Sequence, residues 1–129
     1  MPSPWDASIK LLDPVDDNTQ FTIDDVPNAA PFDVIASVEI GENLNEHVDE
    51  FVLRVAIRNL TASTTVATEQ KTGALTPANN QAFLDRVKVD INNWSANVGD
   101  VLQAVASYKV LAGVNTDFST AESKTFVVS

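Results

Sequence analysis

The chain has no cysteine, a single histidine and four glycines. Each scarcity removes a class of chemistry. Without cysteine there are no disulfides, no thiolate metal sites and no thiol nucleophile. A Ser-His-Asp site would have to recruit His47 from a polar loop, and no Gly-x-Ser-x-Gly turn is present. Four glycines supply no Gly-rich loop to cradle phosphate. His-Glu-x-x-His and His/Cys clusters are missing, which argues against catalytic zinc. Acids are plentiful, but adjacent ones such as Asp16 and Asp17 lie in turn sequence and point apart. A glycosidase needs two carboxyls held across a cleft. The expectation is a chain without enzymatic activity and without an organic cofactor.

Long hydrophobic runs are also lacking. None approaches the roughly 20 residues of a membrane helix. Met1 to Asp6 contain no basic segment followed by an apolar core, so the start does not read as a signal peptide. The lack of cysteine does not fix a compartment, because a domain with a good core needs no bridges. That leaves the cytoplasm, a particle, or export by a route or leader not visible in this chain.

Basic residues are few and unevenly placed. The net charge is −10, from 8 Lys and Arg against 18 Asp and Glu. Residues 1–50 hold twelve acids and one base, Lys10; residues 51–129 hold six acids and seven bases. An acidic field repels phosphate backbones, so nucleic acid and anionic membrane are excluded as primary partners.

What is present is alternation. In Phe51 to Leu60, Phe51, Leu53, Val55 and Ile57 share one side of an extended chain and Arg54 and Arg58 the other. This is a strand with one buried face. The same reading gives strands over 7–11, 21–23, 32–40, 66–71, 101–111 and 124–128. Segment 66–71 is polar enough for a sheet edge. Gln81 to Ile91 could open with a helical turn, but Val87, Val89 and Ile91 favour a strand. Pro2 and Pro4 predict an extended N-terminal arm over 1–6. Asp16-Asp17-Asn18, Pro27-Asn28, Pro77 to Asn80 and Gly113 to Asp117 are turn chemistry. Seven or eight short strands with regular turns and no convincing helix predict one all-β domain over 1–129, an antiparallel sandwich with Greek-key connections. With 129 residues the chain is long enough to bury about two-thirds of its unfolded surface as one domain.

The order of these pieces resembles bacterial immunoglobulin-like domains. The likeness is carried by Ser8 to Pro14 followed by Phe21-Thr22, by Pro31 to Val38, and by Gly99 to Tyr108. It spans nearly the whole chain. The group's cysteine pair is absent, and Trp94 lies in a loop rather than in the third strand. The resemblance implies an immunoglobulin-like sandwich, roles in adhesion, spacing or assembly, and an extracellular or particle-surface location.

Two candidate sites follow. Loops at one end of such a sandwich would gather Glu42, Glu46, Asp49 and Glu50 near Asn115 and Asp117, hard oxygen ligands that suit Ca²⁺. At the other end Asp24 and Asp25 could approach Asp100. The second candidate is the outward side of the central sheet. There Val52, Ala56, Val101, Val105 and Val127 form a patch more apolar than a monomer needs, interrupted by Arg54 and Arg58. Trp5 and Trp94, both read as loop residues, are candidate contact anchors or sugar-stacking platforms. Asn59-Leu60-Thr61 and Asn93-Trp94-Ser95 match the glycosylation pattern by chance. The leading expectation is a structural or interaction domain whose partner is protein, itself or another chain, through a sheet face or edge. The alternative is a carbohydrate- or calcium-dependent binding module.

Overall fold

In the computed structural model, which describes residues 5–129, two β-sheets pack face to face. Residues 1–4, with both prolines of the expected arm, lie outside the described residues. The strands are β1 (Ala7–Asp16), β2 (Asp25–Val26), β3 (Phe32–Ile40), β4 (Glu50–Asn59), β5 (Thr64–Ala74), β6 (Phe83–Ile91), β7 (Val101–Ala112) and β8 (Asn115–Val128). A three-stranded sheet has the order β1-β3-β6 and a five-stranded sheet the order β2-β8-β7-β4-β5. All pairs are antiparallel except β2 with β8, a two-residue parallel pair.

The alternation read from β4 sets the core. Leu53, Val55 and Ile57 are fully buried, opposite Tyr108, Ala106 and Ala104 of β7. On the facing sheet, β3 turns in Phe32, Val34, Ala36, Val38 and Ile40. Burying each such large side chain stabilises by roughly 1.5–3 kcal/mol, which drives the two sheets together. Phe32 sits edge-on to both Trp94 and Phe126, at centroid distances of 5.7 and 5.5 Å. These rings fill one end of the core.

One side of the sandwich is closed by side chains. The Ala7 N–H donates to Asp117 Oδ2 at 2.7 Å and the Ile9 N–H to Ser119 Oγ at 3.0 Å. Strand β8 thereby caps the free edge of β1, which would otherwise offer unpaired backbone groups to another chain. On the opposite side Lys71 Nζ of β5 reaches the Lys88 carbonyl of β6 at 3.0 Å.

Three expectations are corrected and one alternative is settled. The short strand expected at 21–23 shrinks to a bridge between Val15 and Thr22, and the second strand falls at Asp25–Val26 instead. Strand β6 runs from Phe83 to Ile91, so the strand favoured there forms and the alternative helical turn does not. A single helical turn does occur, α1 (Glu42–Asn45), in the loop before β4. The last strand covers Asn115–Val128, longer than the expected 124–128 and taking in Asn115 to Asp117, which carry turn chemistry. A bulge between the β7 pair positions Gln103 and Val105 shifts the phase of β8, so no single alternation runs along it.

Candidate functional site: the outer face of the five-stranded sheet

Strand alternation places opposite faces under opposite constraints. With Leu53, Val55 and Ile57 turned inward, Val52, Arg54, Ala56 and Arg58 must point out. Register aligns them with outward residues of β7: Val52 lies opposite Lys109, Arg54 opposite Ser107, Ala56 opposite Val105 and Arg58 opposite Gln103. Strand β8 extends the rows with Phe118 beside Lys109, Thr120 beside Ser107, Glu122 beside Val105 and Val127 beside Val101.

The result is a mixed surface. Val52, Ala56, Val101 and Val105 are half-buried, while Phe118 and Val127 remain 63% and 40% exposed. The Lys109 ammonium lies 5.8 Å from the centre of the Phe118 ring, within cation–π range. Arg58 donates to Thr65 Oγ1 at 2.6 Å, which ties its guanidinium to the edge strand. Arg54 is exposed at the middle of the face. Beside it an open depression of about 690 Å³ is lined by Arg54, Ala56, Thr68, Val105, Ser107 and Glu122. A smaller one, about 260 Å³, continues toward Lys109 and Phe118.

The two tryptophans part ways. Trp5 is half exposed and its ring stacks on His47 with centroids 6.1 Å apart. Trp94 is only 6% exposed, and its Nε1–H donates to the Ala30 carbonyl at 2.8 Å. It is therefore a core residue, not the contact anchor expected. The loop carrying it folds inward because the large ring has Phe32 to pack against and a carbonyl to satisfy its one polar atom.

Two of the acids expected to hold Ca²⁺ accept backbone hydrogen bonds within the fold. Asp117 Oδ2 accepts from Ala7 N, and Asp49 Oδ2 accepts from the Gly113 N–H at 2.9 Å. Glu42 and Glu50 are exposed and Glu46 is half-buried. These five carboxylates do not meet as a group of three or more at ligand spacing. At the other end Asp24 pairs with Lys124 Nζ at 2.7 Å, a hydrogen bond and charge that hold its carboxyl below the usual range. Asp100 is buried and accepts from Asn59 Nδ2 at 2.8 Å. The acids that do converge, Asp17, Asp33 and Asp90, were not singled out together. Their common signal is phase: Asp33 and Asp90 are polar residues set between apolar inward ones on paired strands, but the register that pairs them is not written in either strand alone.

No protein-family profile and no curated protein matches this chain. Among solved structures, the chain is similar to part of a β-glucuronidase from glycoside hydrolase family 2, with a TM-score of 0.54 and 14% identity over 90% of its length. The fold is a β-sandwich. The chain is also similar to part of a Bacteroides fragilis protein described as a β-galactosidase, with a TM-score of 0.45 and 13% identity over 90% of its length. It spans 12% of the first of those chains and 17% of the second. No helix among the described residues is long and apolar enough to cross a membrane.

Proposed function

We propose that this sandwich is a non-enzymatic assembly module, and that its contact surface is the outer face of the five-stranded sheet. The observation that carries the reading is the composition of that face. Val52, Ala56, Val105, Phe118 and Val127 line it at partly or largely exposed positions, around the cationic groups Arg54, Arg58 and Lys109. An apolar patch with charged groups set into it is typical of protein contact surfaces. The occupant that fits is a second copy presenting its acid-rich first half, since twelve of the eighteen acids lie in residues 1–50. Such a contact joins unlike surfaces, so it builds rings or filaments rather than stopping at a two-fold dimer.

Strand order supports the immunoglobulin-like reading of the sandwich, with β1, β3 and β6 in one layer against β8, β7 and β4 in the other. Fold alone does not name a role. Light scattering on eluting protein tests the proposal. Mass should rise with concentration and fall with added salt, since the attraction is partly ionic. A strict monomer over a wide concentration range, with no partner recovered, contradicts it.

A second reading is a carbohydrate-binding module. It draws on the same depression, where Arg54, Ser107, Thr120 and Glu122 offer hydrogen bonds, with Phe118 nearby. A glycan array distinguishes the two: sugar binding without self-association favours this one, and an empty array removes it.

A further inference from the structure

On the far side of the molecule, the outward face of the three-stranded sheet holds a buried carboxylate with one long ion pair and two acids beside it. Asp33 is the second residue of β3, between the inward Phe32 and Val34. Its phase sends it outward, yet it is 0% exposed. Oδ2 accepts the Asn18 N–H at 2.8 Å and lies 3.8 Å from Lys88 Nζ. Oδ1 is buried and has no hydrogen-bond partner. A buried acceptor left unmet destabilises the fold, and more so when it is charged.

Two further acids surround it. Asp90 of β6 is paired directly opposite Asp33 in the ladder, an arrangement of like charges that destabilises a sheet. Asp17 comes from the turn after β1, where Asn18 adopts φ of 60° and turns its N–H onto Asp33. One carboxylate oxygen from each of Asp17, Asp33 and Asp90 lies within 4.8 Å of the other two. Burial pushes the Asp33 carboxyl above its ordinary value; the Asn18 N–H works against this, and the Asp90 carboxyl, by side-chain hydrogen bonding and then by charge, and last the charge of Asp17 add to it. Three acids against one ammonium, at 3.8 Å, leave the cluster short of positive charge.

We propose that Asp17, Asp33 and Asp90 bind a hard divalent cation of the Ca²⁺ class. Three oxygens at this spacing can contact one ion at the roughly 2.3–2.6 Å of Ca²⁺–oxygen bonds, with water completing the shell on the exposed Asp17 and Asp90 side. The buried Asp33 carboxylate, one of whose oxygens has no hydrogen-bond partner, is the group the ion satisfies. An ion here joins the end of β1, the start of β3 and the end of β6, so binding should stiffen one end of the three-stranded sheet. The site lies on the other sheet from the proposed assembly face, and its calcium test does not require that assembly to form.

Calorimetric titration of the intact chain with calcium chloride, and thermal melts in calcium against chelator, test the assignment. Saturating calcium should raise the melting temperature by roughly 5 °C or more, as ligand linkage to the folded state requires. The variants Asp90→Asn and Asp17→Asn change exposed residues and should fold; each should abolish most of the calcium-dependent rise. Asp33→Asn should do the same where it folds. Two results overturn the assignment. One is no heat and no melting shift at millimolar calcium in the unaltered chain. The other is a calcium-dependent shift that survives in both Asp90→Asn and Asp17→Asn.

Discussion

Asn59 and Asp100 form a buried bridge between the end of β4 and the start of β7. Asn59 Nδ2 donates to Asp100 Oδ2 at 2.8 Å, and neither residue is more than 8% exposed. Asn59 Oδ1 in turn accepts the Ala62 N–H at 3.0 Å, and Asp100 Oδ2 accepts the Asn97 N–H at 3.0 Å. The pair thus fixes two turns at once. Replacing Asn59 with alanine removes the donor and leaves a buried carboxylate with one partner fewer. The expected loss is about 1–3 kcal/mol in urea unfolding, with the fold retained.

Trp94 should behave as a core residue. Trp94→Ala removes a ring that is only 6% exposed and packs edge-on against Phe32, so a destabilisation of about 3–5 kcal/mol is expected. Quenching of fluorescence by a soluble quencher separates it from Trp5. A Trp5→Phe variant should resist quenching until the chain unfolds, whereas a Trp94→Phe variant should be quenched in the folded state.

The pH prediction concerns Tyr108, the one tyrosine of the chain. Burial pushes its phenol well above the ordinary value, with a smaller contribution from the charge of Asp85. The folded chain therefore keeps a proton that the unfolded chain releases near pH 10. Stability from this source is fully present below that pH and is lost as pH climbs toward the raised folded value. Phenolate absorbance should appear only together with unfolding. Tyr108→Phe should have a shallower alkaline decline than the unaltered chain; an identical decline would show that the ring ionises without cost in the fold.

Much of the architecture is legible because burial imposes a period of two on strands with one dry face. Leu53, Val55 and Ile57 announce β4, and Leu102, Ala104, Ala106, Tyr108 and Val110 announce β7. The exposed side of each strand follows by geometry, which is why the outward Val52, Arg54, Ala56 and Arg58 were found. The first half of β8 is not legible because its bulge shifts the alternation and small or polar residues, Ser119 and Ala121, pack inward there. Trp94 was misplaced because a loop's sequence does not say which way the loop folds. The Asp33 cluster was hidden for a different reason. Its three acids come from three strands or turns, and only the register brings them together.

The central claim is that the outer face of the five-stranded sheet mediates contact between copies, and sedimentation equilibrium on a pair of charge-altered variants tests it most directly. Arg54→Glu and Val105→Glu both change outward positions, so circular dichroism and melting temperature should stay close to those of the unaltered chain. The account predicts that the unaltered chain gains mass with concentration and that both variants sediment as monomers. An unaltered chain that stays monomeric, or variants that associate as strongly as it does, would contradict the account.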